Sequence, residues 1–371
     1  MTSCTSSNTP VSPDFREFLA GMPKAELHLH LRGAMPPGFF SYLLEKYPPK
    51  LVLGDVPKRF LDIFNRYDNI RPFLKSPTAV PIQTLFKYCS FDQFLATYLF
   101  TSYFFRTAAD FRNLIKAVRS ELTSQNIVYA EITVSLIEYL NQGITMEELT
   151  LALDETADEP GVEVMWIADL VRNTGPLKTL ETLDRLLACC PRRLVGITLG
   201  GNEHQFPPAQ FESLYARARE EGLHLSVHAG EALGPLSVWD ALEILKVERV
   251  GHGIRAVEDP TLITHLAEHK IPLEICPTSN IQTQVCRDYE SHPLPSLHAA
   301  GVPISLNTDD PTFFHTTLVD ECLHACTMGI DESDIVAILA GGFQHAFIPK
   351  DRKAIFLQQL KNYCGQHNFS N

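Results

Sequence analysis

Glu26-Leu-His-Leu-His30, Val227-His-Ala-Gly-Glu231, Val250-Gly-His-Gly253 and Asn307-Thr-Asp-Asp310 are the stretches on which the reading of this chain turns. Each is a short β-rich run that passes into a loop, and each carries His, Glu or Asp at that junction. They are spread along the chain from residue 26 to residue 310. Strand ends that converge in this way describe one mouth of a β/α barrel. The residue types describe a divalent-metal site suited to metal-assisted hydrolysis.

The rest of the chain agrees. Candidate strands are Ala25–Leu31, Ile127–Val134, Val162–Leu170, Leu194–Leu199, Leu223–His228, Arg249–Gly253, Pro272–Cys276 and Pro303–Asn307. Helical patterns such as Ala209–Glu221, Val238–Leu245 and Asp259–His269 fall between them, with apolar residues three or four apart. Such alternation means parallel strands with crossover helices, and eight units predict closure as a (β/α)8 TIM barrel. A doubly wound open sheet is the alternative, but its Gly-rich phosphate fingerprint is missing. The interval 36–125 is too long for one crossover. Helical stretches at Phe60–Tyr67, Phe91–Phe105 and Ala109–Ser124 predict a helical insertion after the first strand, placed over the catalytic mouth. Residues 1–13, rich in Ser, Thr and Pro, read as a flexible tail, and 14–371 as one barrel domain.

Composition sets the outer bounds. The chain has 371 residues, 45% hydrophobic and 20% charged, which suits a large core. A net charge of −13 disfavours nucleic acid as a partner. The apolar run Tyr98–Phe105 is too short to cross a bilayer, so no membrane association is expected. Nine cysteines at irregular positions, two of them adjacent, suggest reduced thiols. With no secretory segment recognised, a cytoplasmic location is expected.

His28 and His30 are two apart, so on a strand both imidazoles face the same side. His228 ends another strand and Asp309 follows a third. Three imidazoles and a carboxylate suit one Zn²⁺. Glu231, on the loop just past His228, could deliver a proton if partly desolvated. His252 lies between two glycines, which permit close backbone approach. Its bland alternative is a core histidine with a satisfied hydrogen bond. Asp309 and Asp310 are adjacent and cannot aim at one atom; one can bind metal while the other addresses the substrate. His204, His224, His265, His269 and His315 lack such a setting.

Six segments, in order, carry a resemblance. They are Pro23-Lys-Ala-Glu-Leu-His-Leu-His30, Leu199-Gly-Gly-Asn-Glu203, Val227-His-Ala-Gly-Glu231, Gly251-His-Gly253, Cys276-Pro-Thr-Ser279 and Ser305-Leu-Asn-Thr-Asp-Asp-Pro311. The chain resembles the adenosine deaminase family of the amidohydrolase superfamily. That resemblance implies zinc-dependent hydrolytic deamination at C6 of an adenine nucleoside, a small-molecule substrate. It implies that His28, His30, His228 and Asp309 are the zinc ligands. Glu231 would protonate N1, His252 would orient and deprotonate the attacking water, and Asp310 would hydrogen-bond N7. The Gly201 N–H would meet N3.

The chain departs from the pattern at Leu31-Arg-Gly33, where the family usually has Leu-Asp-Gly and the Asp meets the ribose 5′-hydroxyl. Arg32 cannot accept from a hydroxyl but can clamp a carboxylate or phosphate. The expected substrate therefore carries an anionic 5′ extension, as 6-amino-6-deoxyfutalosine does. N6-methyl-AMP or AMP, and plain adenosine or 2′-deoxyadenosine, are alternatives, and an ion pair with a nearby acid is the other reading of Arg32. Asn202, where the family often has Asp, is a milder departure. A barrel hydrolase acting on an amide or phosphoester fits less well. The His-x-Glu and Pro-Cys-x-x-Cys signature of nucleic-acid deaminases is absent. A non-enzymatic binding protein on the same fold is a remote alternative.

Overall fold

Each apolar run pairs with the next in sequence. In the computed structural model, which describes residues 13–76, 78 and 80–367, the strands are β1 (Lys24–His30), β2 (Ile127–Val134), β3 (Glu163–Asp169), β4 (Leu194–Thr198), β5 (His224–Ala229), β6 (Arg249–His252), β7 (Leu273–Ile275) and β8 (Ile304–Leu306). They lie in one sheet in the order of the chain, every pairing parallel. The two ends of the sheet meet just past β8. A parallel bridge joins Leu29 to Asp309, with His30 N to Asp309 O at 2.9 Å and Asp309 N to His28 O at 3.0 Å. The fold is a (β/α)8 barrel, and its closing bonds lie at the metal-ligand candidates themselves. Most of the tail expected over residues 1–13 lies outside the described residues; Pro13 already begins the helix Pro13–Gly21.

Crossover helices pack outside the strands because one face of each is apolar. The helix Glu332–His345 covers β8 and β1, where Gly342 comes close to Ala25. Between β1 and β2 the chain runs through helices Pro37–Lys46, Lys58–Arg66, Phe91–Ser102 and Ala108–Ser124. Two start at side-chain caps: Ser90 accepts from Gln93 N, and Thr107 and Asp110 form a reciprocal capping box. Among the described residues, no helix is long and apolar enough to cross a membrane.

The interior is not uniformly apolar. Arg249 of β6 is buried and donates to Glu131 of β2 at 2.5 Å and to Glu274 of β7 at 2.6 Å, and its guanidinium lies 3.5 Å from the Phe347 ring centroid. Tyr129 adds an O–H bond to Glu131 at 2.7 Å. Charges taken from water at this depth hold only as a paired set. Replacing Arg249 by Met strands two buried carboxylates. It should cost about 3–5 kcal/mol of stability, read as a lowered midpoint in chemical denaturation; an unchanged midpoint would contradict this account of the barrel interior.

Candidate active site

β1 delivers the first two groups. Its alternation turns Glu26, His28 and His30 inward. Glu26 accepts from Thr308 N at 2.8 Å and so ties the loop after β8 to β1. Glu274 Oε2 accepts from His28 Nδ1 at 2.7 Å. That bond places the hydrogen of His28 on Nδ1 and turns the Nε2 lone pair into the barrel mouth. There Nε2 is buried and has no hydrogen-bond partner.

Three other donors surround it. His30 Nε2 lies 3.3 Å from His228 Nε2 and 3.3 Å from Asp309 Oδ1, and His28 Nε2 lies 3.7 Å from Asp309 Oδ1. All four ligand atoms fall within 4.8 Å of one another. Tetrahedral ligands about 2.0 Å from an ion stand about 3.3 Å apart. Burial, then the neighbouring His28, His252 and His30, holds His228 well below the usual imidazole range, in the neutral ligating form. The orphaned His28 nitrogen, the close nitrogen pair and the N3O donor set fit a zinc-like ion.

Neighbours also aim two more of the candidate ligands. Thr198 Oγ1 lies 3.4 Å from His228 Nδ1, and Arg172 donates to the His228 carbonyl at 2.5 Å. Ser279 donates to Asp309 Oδ2 at 2.7 Å. Asp309 and His252 hold φ of +64° and +60°, the left-handed region that side chains with a Cβ rarely adopt. Such strain persists only where surrounding bonds over-determine it, and it collects at functional sites.

Glu231, His252, Gly201 and Asp310 line the same cavity of about 830 Å³, with His30, His228 and Asp309. Burial first, then Asp309 and Glu203, pushes the Glu231 carboxyl up to about 8, so it holds a proton near neutrality. Burial, with His28 beside it, pushes His252 down to about 3. Burial and then Asp309 push Asp310 up to about 8, and its Oδ1 is buried without a partner. Gly33 makes room for Asp310, since a Cβ there would stand 1.8 Å from Oδ1. Gly201, at φ +103°, faces Asn173 where a Cβ would collide.

Arg32 is engaged within the protein, as the ion-pair alternative given for it expected. Its Nε and Nη2 donate to Glu138 at 2.8 and 2.6 Å, and Nη1 donates to the Tyr98 carbonyl and to Thr101 Oγ1 at 3.1 Å. The guanidinium carbon lies 3.5 Å from the Tyr98 ring centroid. A buried Arg needs a carboxylate, and the chain supplies its own. Glu138 and Tyr98, not Arg32, line the cavity.

Sequence reasoning passed over several supporting groups. Glu203 accepts from the N–H groups of Gly230, Ala232 and Leu233 at 2.8 to 2.9 Å and from the Ser237 hydroxyl, and so shapes the loop that carries Glu231. Glu274, Arg249, Arg172, Asn280 and Glu138 were also missed. A charge inside an apolar strand run, as at Glu131 or Glu274, was the available signal. Of the histidines set aside, His204 lines the cavity rim.

The adenosine deaminase family model matches residues 23–363. The chain belongs to the adenosine deaminase family. It is 34% identical to aminodeoxyfutalosine deaminase of Streptomyces avermitilis, over 94% of this chain and 93% of that one. It is 32% identical to adenine deaminase of Sinorhizobium fredii, over 92% of this chain and 99% of that one. The crystal structure of adenine deaminase from Arthrobacter aurescens superposes with a TM-score of 0.79 at 27% identity, covering 93% and 100% of the two chains. This member of the family is a hydrolytic deaminase.

Two outcomes follow. Glu231→Gln should keep about one equivalent of bound metal by elemental analysis yet lose ~10²–10⁴-fold in kcat, because an amide cannot deliver the proton; near-normal turnover would remove Glu231 from this role. Arg32→Met should lower the melting temperature, since it leaves Glu138 half-buried and unpaired, with a loss near 3 kcal/mol; a melting temperature equal to that of the parent would mean that the pair contributes nothing.

Proposed function

We propose that the protein deaminates C6 of an adenine nucleoside bearing a 5′ extension, with 6-amino-6-deoxyfutalosine as substrate. The observation that carries this reading is the cavity. At about 830 Å³ it has room well beyond a purine and its ribose. Phe91, Phe94, Leu95, Tyr98 and Phe314 form an apolar wall on one side. Such a wall suits a large organic substituent better than a bare base. Arg255 is the guanidinium among the lining residues, half-exposed and bonded to Glu258. An anionic end on the extension would be drawn toward it rather than toward Arg32. The Streptomyces relative named for this substrate, matched over nearly its whole length, supports the reading.

The roles divide as follows. Held by His28, His30, His228 and Asp309, zinc would supply Lewis-acid activation of water. Glu231, carrying its proton, faces N1 of the ring and donates to it, which makes C6 electrophilic. Asp310, neutral in its buried setting, can donate its O–H to N7, and the Gly201 N–H meets N3. These contacts fix the ring so that C6 faces the attacking oxygen. Water adds at C6, ammonia leaves, and the 6-oxo nucleoside is the product. Glu138, with both oxygens already pinned by Arg32, keeps lone pairs for a substrate hydroxyl.

Adenine is the second reading, favoured by relatives named adenine deaminase at 29–32% identity. Steady-state ammonia release over aminodeoxyfutalosine, adenosine, adenine, AMP and N6-methyl-AMP separates them. The expected result is a kcat/KM for aminodeoxyfutalosine at least ~10²-fold above adenine, equivalent to a few kcal/mol of contacts with the extension. A preference for free adenine would overturn the proposal.

A further inference from the structure

Behind His252 a line of hydrogen bonds leads back to a backbone amide. The Leu294 N–H donates to His292 Nδ1 at 3.1 Å. An amide nitrogen can only donate, so Nδ1 of His292 carries the lone pair and Nε2 the hydrogen. His292 is buried, and burial pulls it down to about 4, which keeps the ring neutral. His292 Nε2 lies 3.2 Å from Asn280 Oδ1, so the amide oxygen accepts. The amide nitrogen of Asn280 then faces His252 Nδ1 at 3.1 Å and donates to it. Each link is oriented by the one before, and the first cannot be reversed.

We propose that Asn280 and His292 are positioning residues that hold His252 in its Nε2–H tautomer, so that His252 meets the attacking water as a hydrogen-bond donor and not as its proton acceptor. The inference rests on the reading of His252 as the imidazole that faces this water. It keeps the orienting role that family resemblance gave that residue and removes the deprotonating one. The far side of the ring agrees. His252 Nε2 stands 3.8 Å from Glu231 Oε2 and 3.9 Å from Asp309 Oδ2. Both are too long for a direct bond, and they leave a gap for an oxygen between them. An N–H aimed into that gap is a preorganised donor. Once Glu231 has given its proton to N1, its carboxylate faces the gap and takes the proton that the water loses as its oxygen bonds to C6. The left-handed backbone of His252 and the two buried side chains behind it keep the aim fixed.

The ¹⁵N-histidine NMR spectrum of the full-length protein, metal-free and zinc-loaded, tests this directly. His252 resonances are identified by their loss in His252→Asn. Wild-type protein should show a lone-pair Nδ1 and a protonated Nε2. Asn280→Asp puts an acceptor-only carboxylate behind the ring and should turn it over to Nδ1–H. In that variant kcat should fall ~10²–10³-fold with KM little changed, the size of effect seen when one preorganised donor is lost. His292→Leu should blur the tautomer by freeing Asn280 to flip. His292→Gln, which can still donate to Asn280 Oδ1, should restore both the signature and most of the lost kcat. A wild-type His252 with its proton on Nδ1 overturns the proposal, as does an Asn280→Asp variant with unchanged spectrum and kcat. If Asn280→Asp does not fold, the two His292 variants decide, and identical His252 spectra and kcat in both would overturn it. The spectra report the tautomer whatever substrate the enzyme prefers.

Discussion

Charge carried into the mouth of the barrel has to be neutralised by groups the barrel itself supplies, and the site is organised by that constraint. Arg249 binds Glu131 and Glu274; Glu274 in turn accepts from His28, which leaves the His28 lone pair directed at His30, His228 and Asp309. A structural ion pair thus sets the orientation of a candidate metal ligand. The same logic holds at Glu203, whose carboxylate is satisfied by three backbone amides of the loop that presents Glu231. Groups that look merely structural determine where reactive groups point.

Much of this was legible beforehand because strand periodicity and residue chemistry are both local signals. Two histidines at a spacing of two had to share a face, and all eight strand runs paired in order. Where the predicted ends differ they do so by one residue, because strands end where inter-strand bonds stop, not where apolar residues do. What was hidden was pairing across the barrel. Nothing in the run Pro272–Cys276 says that Glu274 meets both Arg249 and His28. Likewise, the amide of Leu294 and the ring of His292 acquire their meaning only once Asn280 stands between them and His252.

Arg32 illustrates the difference most clearly. Its residue type and its place just beyond His30 were read correctly as demanding an anion. The demand is met by Glu138, from the short helix Leu136–Leu140 after β2, a position that sequence distance gives no reason to connect with β1. The pair leaves the Glu138 carboxylate on the cavity wall. The charge inversion at Arg32 is therefore compensated within the protein, and the substrate need not compensate for it.

Most of the apolar wall has a separate origin from the candidate reacting groups, although Phe314 follows Asp309 and Asp310 on the loop after β8. Phe91, Phe94, Leu95 and Tyr98 belong to the helix Phe91–Ser102, spliced between β1 and β2, whereas the ligands and the acid stand at strand ends. Selection can therefore rewrite one surface of that helix and change which molecules are admitted, while the strand ends that carry out the reaction stay untouched. A scaffold divided in this way lets recognition drift among relatives faster than chemistry does.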